Sequence, residues 1–390
     1  MSRVPARQGA PVDAGARDRR RLLIVAAGTG GHVMPGLAVA DALRGRGWEV
    51  SWLGTTTGME RGLVEGAGLA FDAVAFTSIR GKGTAALLRG PLRLVRAVAA
   101  SFAILRRVAP HAVFTTGGYI AVPAGLAAAL LRRPMLFLNA DAAPQLSLRL
   151  LLPVLQVVRV VLCGFDGAAA RLAGVRARVS GAPVRAAIAA IAQPEARFAG
   201  RDGPLVLLVV GGSLGARILN EVLPDALALL APGERPIVIH QCGAGNDAAT
   251  RDRYARLDVA AEVMPFIDDM AARYAAADVV LCRAGAITVA ELCAAGVAAL
   301  LVPLVAATTD HQRANAQFLA DHGAALHLPQ QEFRPAALAA LLRGLTRPQL
   351  RDMAANARRL GRPDATARVV FEIESLVPAA ALAAEGAGTR

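Results

Sequence analysis

A chain of 390 residues, of which 55% are hydrophobic and only 4% aromatic, is long enough for two domains with aliphatic cores. Its four cysteines, Cys163, Cys242, Cys282 and Cys293, form no C-x-x-C pair, which argues against a zinc ribbon and favours reduced thiols of a cytoplasmic protein. No run of about 18 uninterrupted apolar residues occurs, so we expect no transmembrane helix.

Basic residues are concentrated in the N-terminal half of the chain. Residues 1–200 hold 25 Lys and Arg against 10 Asp and Glu, whereas residues 201–390 hold 18 against 20. This asymmetry indicates an anionic partner surface. Because aromatic side chains that would stack on bases are scarce, a lipid headgroup layer is favoured over nucleic acid. Residues 1–20 contain no apolar stretch, and we expect a disordered basic tail there rather than a signal peptide.

Short apolar runs alternate with helical patterns through the first half. Continuous apolar strands separated by helices are typical of a parallel sheet that is covered on both faces. We predict strands at Leu22–Ala27, Val50–Leu53, Ala112–Thr115, Met135–Leu138 and Val157–Cys163.

The first predicted strand is followed by GTGGH at residues 28–32. A dinucleotide loop of the G-x-G-x-x-G type would need glycine at position 33, where Val33 stands, and no G-K-S or G-K-T triplet follows. What remains is a helix N-terminus with free amides at Gly30, Gly31 and His32, which would suit an anion. The alternative is a tight strand-to-helix turn without a ligand.

A basic, amphipathic stretch covers residues 78–107. It contains Lys82, the only lysine of the chain, and six arginines, of which Arg89, Arg93 and Arg96 share one helical face. This composition is typical of a segment that docks on anionic lipid, although a core-facing helix with a solvated basic face would look similar. The glycine-flanked pair Arg80 and Lys82 predicts a flexible loop that clamps an acceptor pyrophosphate.

The strand–glycine–helix pattern restarts near residue 204, after a punctuated linker at residues 182–203. We therefore predict an α/β fold with two Rossmann-like, doubly wound parallel-sheet domains that face each other across a cleft. The first would span residues 21–184 and the second residues 185–363, with a C-terminal helix at 364–378 returning to the first domain. Predicted strands of the second half are Pro204–Val210, Ile237–His240, Val279–Cys282 and Ala299–Val302.

The second half offers groups that would hold a nucleotide sugar. Ser213 lies in GGSLGA, and Glu291 falls one turn into the helix that follows CRAG, where a carboxylate can accept hydrogen bonds from ribose hydroxyls. Gln312 in DHQRANA can bind sugar hydroxyls. No D-x-D triplet occurs, so helix N-termini and Arg185, rather than a metal, would neutralise a leaving diphosphate. A solvated helix face, a helix cap and an exposed linker charge are the alternatives for Glu291, Gln312 and Arg185.

Taken together, these segments resemble the peptidoglycan lipid-intermediate N-acetylglucosaminyltransferases, the MurG family. The resemblance covers nearly all of the chain from residue 22 to about residue 376, and no single segment would be specific alone. The matching segments, in order, are GTGGHVMPGLAVADAL, SIRGKG, GGY at 117–119, SGAPVR, VVGGSLGARILN, FIDDMA, CRAGAITVAEL, DHQRANA and RPDATARV.

The resemblance implies a GT-B fold and an inverting transfer without a metal or organic cofactor. GlcNAc would pass from UDP-GlcNAc to the C4 hydroxyl of MurNAc in undecaprenyl-pyrophosphoryl-MurNAc-pentapeptide (lipid I), giving lipid II at the cytoplasmic face of the inner membrane. His32 would be the general base or orient one. Implied substrate contacts are Thr29, Gly30, Gly31, Asp141, Arg185, Ser213, Ile267, Ala286, Ile287, Thr288, Val289, Ala290, Glu291 and Gln312, and candidates for the acceptor or membrane are Arg80, Lys82, Gly117, Gly118 and Tyr119.

Several motifs depart from the family pattern. The usual HEQN reads LNAD, so Asp141 stands where an asparagine normally binds the sugar and Asn139 replaces a glutamate. Leu214 replaces a glutamine, and Ala121 replaces a serine. Three interpretations follow: the lipid I transferase itself, a paralogue that transfers a sugar from a UDP-sugar to another lipid or metabolite, and an inactive UDP-sugar-binding partner in cell-wall assembly.

Overall fold

A computed structural model describes residues 19–28, 30–77, 83–154, 157–172, 175–212, 214–304 and 311–377, without the side chains of residues 83–89. Four predicted site residues, Thr29, Arg80, Lys82 and Ser213, lie outside the described residues, as do positions 1–18 of the expected basic tail.

The described residues form strands and α-helices in strict alternation over much of the chain, together with one 3-10 helix at Pro232–Glu234. In chain order they are β1 (Arg21–Val25), α1 (Gly30–Arg44), β2 (Glu49–Thr55), α2 (Glu60–Gly66), β3 (Ala70–Val74), α3 (Gly83–Val108), β4 (Ala112–Thr115), α4 (Ala121–Leu130), β5 (Met135–Asn139), α5 (Leu146–Leu151), β6 (Val158–Cys163), α6 (Asp166–Ala170), β7 (Ala177–Val179), α7 (Ala186–Ala189), α8 (Pro194–Phe198), β8 (Val206–Val210), α9 (Arg217–Ala228), β9 (Ile237–Gln241), α10 (Asp247–Arg256), β10 (Glu262–Met264), α11 (Met270–Ala276), β11 (Val279–Cys282), α12 (Ala286–Ala295), β12 (Ala299–Leu301), α13 (His311–Asp321), β13 (Ala325–His327), α14 (Pro335–Gly344), α15 (Arg347–Leu360) and α16 (Ala365–Leu376).

Within the described residues the strands form two parallel sheets that share one topology. The first has the order β3-β2-β1-β4-β5-β6-β7 and the second the order β10-β9-β8-β11-β12-β13. In each sheet the strand order reverses beside the first strand, between β1 and β4 or between β8 and β11. Loops diverge at such a switch point and leave a crevice for ligands. The prediction of two doubly wound α/β domains is confirmed.

The inner strands were predicted from sequence, whereas the four edge strands β3, β7, β10 and β13 were missed. Inner strands such as β4 are fully buried and read as continuous apolar runs. The edge strands are short and only partly buried, and β10 begins with the exposed Glu262. An edge strand covers less apolar surface, so its sequence carries a weaker hydrophobic signal.

The core of each domain lies on both faces of its sheet. In β1, Leu23 and Val25 face one helix layer while Leu22 and Ile24 face the other, because side chains alternate along a strand. The layer on the side of Leu22 includes Val369 and other residues of α16. The C-terminal helix therefore packs on the first sheet, although α15 before it packs in the second domain.

Candidate active site

A cleft of about 490 Å³ lies between the two domains, at the switch points of both sheets. Both domains line it, and the lining includes most of the described residues that the sequence analysis selected. They are Gly30, Gly31, His32, Asp141, Arg185, Ile267, Ala286, Ile287, Thr288, Glu291 and Gln312.

His32 lies in the first turn of α1, directly after the first glycine turn. Its Nδ1 is 3.0 Å from the carbonyl oxygen of Thr116. Because a carbonyl can only accept, the neutral imidazole places its proton on Nδ1 and leaves the lone pair of Nε2 free. Burial lowers the pKa of His32 below its ordinary value of 6.5, while the Asp141 carboxylate and the Thr116 carbonyl oppose that shift. His32 is thus a neutral base at physiological pH.

The first glycine turn (residues 28–32) and the loop after β4 both lie beside this imidazole, and each contains a glycine with a backbone conformation that only glycine adopts easily. Gly28 has a φ of 111° and Gly118 a φ of 80°. A Cβ on Gly118 would lie 3.3 Å from the carbonyl oxygen of Ala27 and 3.8 Å from Nε2 of His32. A side chain at Gly118 would therefore be strained by the positive φ and pressed against the Ala27 carbonyl oxygen.

Glu60 holds the first glycine turn through a hydrogen bond to Gly28. It was not predicted from the sequence. Its side chain is fully buried. Oε1 accepts hydrogen bonds from the amide and the hydroxyl of Thr55, both at 2.7 Å, and Oε2 accepts one from the Gly28 amide at 3.3 Å. A Cβ on Gly58 would overlap this carboxylate. An acidic residue shortly after a buried strand, two positions past a glycine, was the available signal.

The LNAD segment forms an ordered polar loop. Asn139 is buried, donates to the carbonyls of Asp141 (2.8 Å) and Ala143 (3.2 Å), and accepts from the Gln145 amide at 2.8 Å. Asp141 and Gln145 both line the cleft. The departures from the family motif therefore keep polar groups at the cleft wall, and Gln145 supplies one that the motif comparison did not consider.

The second glycine turn is GGSLGA at residues 211–216. Its Gly212 is held by the neutral side-chain amide of Gln241 at the end of β9. Gln241 accepts from the Gly212 amide at 3.1 Å and donates to the Gly212 carbonyl at 2.9 Å. Gln241 is buried and lines the cleft. Sequence analysis missed this residue as well, although its position at the carboxyl end of a strand beside β8 is where ligand-binding residues of such sheets lie.

Arg185, directly before α7, and Glu291 of α12 form an ion pair within the second domain. Arg185 Nη2 donates to Glu291 Oε1 at 3.0 Å, and the Tyr274 hydroxyl lies 3.4 Å from Oε2. Burial raises the pKa of Glu291, and Arg185 and Tyr274 oppose that shift. The Nε of Arg185 is buried without a hydrogen-bond partner in the described residues. The two groups predicted to contact phosphate and ribose thus bind each other at the cleft wall.

The start of α12 points unpaired amides at the cleft. The helix begins at Ala286 after Gly285, and Ala286, Ile287 and Thr288 all line the cleft. The first amides of a helix have no intrahelical partner and favour an anion. Gln312 lies in the first turn of α13, where its Oε1 accepts from the Leu304 amide at 2.9 Å.

Some predicted residues are placed elsewhere. Val289 and Ala290 of α12 line a separate cavity together with Phe318 and Arg362. Gly117 and Gly118 lie in the loop after β4, and the ring of Tyr119 packs 6.2 Å from that of Phe76. Their substrate contacts stay predictions.

Comparison with known proteins gives one consistent result. Residues 22–158 match the N-terminal domain of glycosyltransferase family 28, and residues 206–369 match its C-terminal domain. The chain is 57% identical, over 92% of its length and 98% of the relative, to a Methylibium petroleiphilum protein named UDP-N-acetylglucosamine–N-acetylmuramyl-(pentapeptide) pyrophosphoryl-undecaprenol N-acetylglucosamine transferase.

A second protein of that name, from Chromobacterium violaceum, is 52% identical over 90% of this chain and 96% of its own length. Among solved structures, the Acinetobacter baumannii MurG superimposes with a TM-score of 0.75. It shares 38% identity and covers 91% of this chain and 99% of its own.

Proposed function

The chain belongs to glycosyltransferase family 28, and we propose that it transfers GlcNAc from UDP-GlcNAc to the C4 hydroxyl of MurNAc in lipid I, forming lipid II for peptidoglycan synthesis. The identity and coverage of the relatives support this activity over a paralogue or an inactive partner. The observation in the fold that carries it is one cleft that joins a neutral histidine base to a helix N-terminus on the other domain.

The donor would lie on the second domain. We assign the diphosphate to the free amides at Ala286–Thr288, where the helix terminus stabilises negative charge without a metal. Glu291 would accept hydrogen bonds from the ribose hydroxyls, and Arg185 would turn from Glu291 to the phosphates. Ile267, which is buried at the cleft wall, would contact the uracil of the donor. Binding of the donor would thus replace one ion pair by a contact of Arg185 with the negative phosphates and hydrogen bonds from the ribose hydroxyls to Glu291.

The acceptor would enter from the first domain. His32 Nε2 would take the proton of the attacking hydroxyl while the C4 oxygen attacks the anomeric carbon from the face opposite to UDP. A single displacement of this kind inverts the anomeric configuration. The pKa of His32 lies below 6.5, so the base is unprotonated under cytoplasmic conditions.

The support for membrane docking comes from the exposed side chains of α3. No helix within the described ranges is long and apolar enough to span a bilayer. On α3, however, Leu92 and Val95 are 55% and 64% exposed beside the exposed Arg93 and Arg96. Exposed apolar side chains among arginines are the composition of a helix that lies in an anionic lipid surface. We propose that α3 binds the cytoplasmic leaflet, where lipid I is found.

The transfer is tested with purified protein, UDP-GlcNAc and a short-chain lipid I analogue. We expect lipid II formation that Glu291→Ala reduces through a raised KM for UDP-GlcNAc, because the ribose loses its acceptor. Glu332→Ala, at an exposed site of the same domain, is the matched control. Binding of UDP-GlcNAc without turnover on any lipid acceptor would contradict the proposal.

Docking is tested by sedimentation with vesicles. The variant Arg93→Gln/Arg96→Gln should bind anionic vesicles more weakly than the parent, and the parent's binding should weaken with salt. Arg251→Gln/Arg256→Gln, on α10 of the second domain, removes the same charge elsewhere. Equal retention of the parent on neutral and anionic vesicles at low salt would rule out docking on anionic lipid.

A further inference from the structure

The Asp141 carboxylate is held by side-chain amides from both domains. Gln145 Nε2 lies 3.3 Å from Oδ2, and Asn315 Nδ2 lies 3.4 Å from Oδ1. Asn315 belongs to α13 of the second domain, is fully buried, and also accepts from the Ala142 amide at 3.0 Å. The carboxylate is therefore fixed on its loop and tied across the domain junction.

The same network reaches the loop that holds the base. The amide of Gln145 packs on Gly117, since a Cβ there would lie 1.9 Å from Gln145 Oε1. Gly117 stands between Thr116, whose carbonyl oxygen is hydrogen-bonded to Nδ1 of His32, and Gly118, where a Cβ would lie 3.7 Å from the His32 ring. The position of Asp141 relative to the imidazole is thus set by packed, hydrogen-bonded neighbours.

Other charged groups at the described cleft wall are already paired or lie on the opposite domain. Arg185 and Glu291 bind each other, and Arg283 donates to the Val302 carbonyl at 3.1 Å and to Gln330 at 2.7 Å. His311 also lines the cleft, at the start of α13. Asp141 lines the cleft on the same domain as His32, and its negative charge raises the pKa of His32 that burial lowers.

We propose that Asp141 is a positioning residue for the transfer, whose carboxylate stabilises the imidazolium that forms when His32 accepts the acceptor's proton. This inference rests on the proposed function. In the step, the acceptor O–H bond breaks and an N–H bond forms at Nε2. The acceptor oxygen forms a bond to the anomeric carbon as the bond to UDP breaks, and UDP leaves with the electron pair. The imidazolium then returns its proton to water.

Charge stabilisation of this kind predicts a specific pH signature. Without the carboxylate, His32 is a weaker base, so turnover falls where the base is fully unprotonated. Its pKa is also lower, so more of it stays unprotonated at acid pH. The loss in kcat must therefore be greatest on the alkaline plateau and shrink toward acid pH. A purely structural defect would reduce kcat by the same factor at every pH.

The test compares the parent with Asp141→Asn, which keeps the shape of the side chain and removes its charge. We expect kcat on the plateau to fall about fivefold, as for the loss of about 1 kcal/mol of transition-state stabilisation, and the acid limb to move to lower pH. Asp166→Asn, at a residue that lines a different cavity, removes an equal charge and should leave the profile unchanged. A loss that is constant with pH would overturn the proposal.

A second readout needs no turnover. NMR titration of labelled imidazoles, with the His32 signal assigned among six histidines by its absence in His32→Gln, should show a lower His32 midpoint in Asp141→Asn. An unchanged midpoint overturns the proposal even if the enzyme is active. A lowered midpoint with no transfer to any lipid acceptor supports the coupling of the two residues and instead overturns the proposed function.

Discussion

The two glycine turns, at residues 28–32 and 211–216, follow β1 and β8, the first strands of two sheets with corresponding strand orders. Chemically different side chains hold the two turns. A buried carboxylate, Glu60, braces the first turn, and a titratable histidine follows it directly. A neutral amide, Gln241, braces the second. Behind Gln241, His240 is kept neutral in a buried chain of hydrogen bonds.

This difference matches what each turn would face. The second turn lines the same cleft as the start of α12, where we propose that the dianionic diphosphate binds. A carboxylate at this turn would repel that ligand, whereas an amide can fix the backbone without adding charge. The first turn would face a hydroxyl that must lose a proton, and there a tuned base is needed. On the proposed function, the same fold would therefore supply an anion site and a proton-transfer site by exchanging the residue that holds the turn.

The largest expected effect separates the two turns by activity. His32→Ala should lower kcat by about a hundred- to ten-thousand-fold, the range for loss of a general base, and leave UDP-GlcNAc affinity unchanged in calorimetry. His322→Ala removes an exposed histidine of the second domain and is the control. If UDP-GlcNAc affinity fell by the same factor as kcat, the assignment of proton transfer to the first turn and of donor binding to the second would be wrong.

The next effect concerns the neutral network behind the second turn. Nδ1 of His240 lies 2.9 Å from the Tyr254 hydroxyl and Nε2 lies 3.0 Å from Asn220 Oδ1, and burial lowers the pKa of His240 to about 4. The unfolded chain, with an ordinary value of 6.5, binds a proton first as the pH falls. Stability is therefore complete above pH 6.5 and declines by about 3 kcal/mol as the pH falls to 4.

Denaturant unfolding at a series of pH values measures this decline. His240→Gln should flatten the dependence between pH 6.5 and 4, because its amide does not titrate, at the expense of some stability at neutral pH. His327→Gln, at a partly exposed histidine of β13, should leave the slope largely in place. An equal slope in the parent and His240→Gln would refute the assignment.

A smaller effect tests the charged brace of the first turn. Glu60→Gln replaces two acceptor oxygens by one acceptor and one donor, so Gly28 or Thr55 loses its partner in a buried site. We expect kcat to fall about tenfold, as for a lost buried hydrogen bond, with little change in KM for UDP-GlcNAc. Glu65→Gln, on the exposed side of α2, is the matched control. A raised KM with normal kcat would contradict the role in the first turn.

The smallest effect tests the neutral brace of the second turn. Gln241→Leu removes the acceptor of the Gly212 amide at the wall of an open cleft, where water can replace part of the lost bond. The Kd for UDP should rise about fivefold, corresponding to about 1 kcal/mol. The acid limb of kcat should not move. Gln317→Leu on α13 controls for the loss of an exposed amide, and a shifted acid limb would count against the comparison.

The sequence predicts what depends on local pattern and misses what depends on distant contacts. Inner strands such as Val279–Cys282 are continuous apolar runs and were placed to the residue. Glu60 and Gln241 were missed because each acts on backbone far along the chain, at Gly28 and Gly212 respectively. Nothing in the spacing of such residues marks the contact.

Family motifs reached further than spacing did, but only where a motif matched. They selected Glu291 and Gln312, which line the cleft, and also Val289 and Ala290, which line another cavity. Adjacent positions on a helix face different directions, so a motif that matches as a block cannot separate them. Gln145 lies beyond the quoted motif and was found only through its contact with Asp141.

The return of α16 to the first sheet makes the second domain, topologically, an insertion into the first. The backbone passes between the domains twice, once between β7 and α7 and once between α15 and α16. Two chain crossings resist twisting of one domain against the other more than a single crossing would. The two domains are therefore expected to bend about an axis through both crossings and not to rotate freely. Opening for substrate entry is then expected to be a hinge motion of the two cleft walls about that axis.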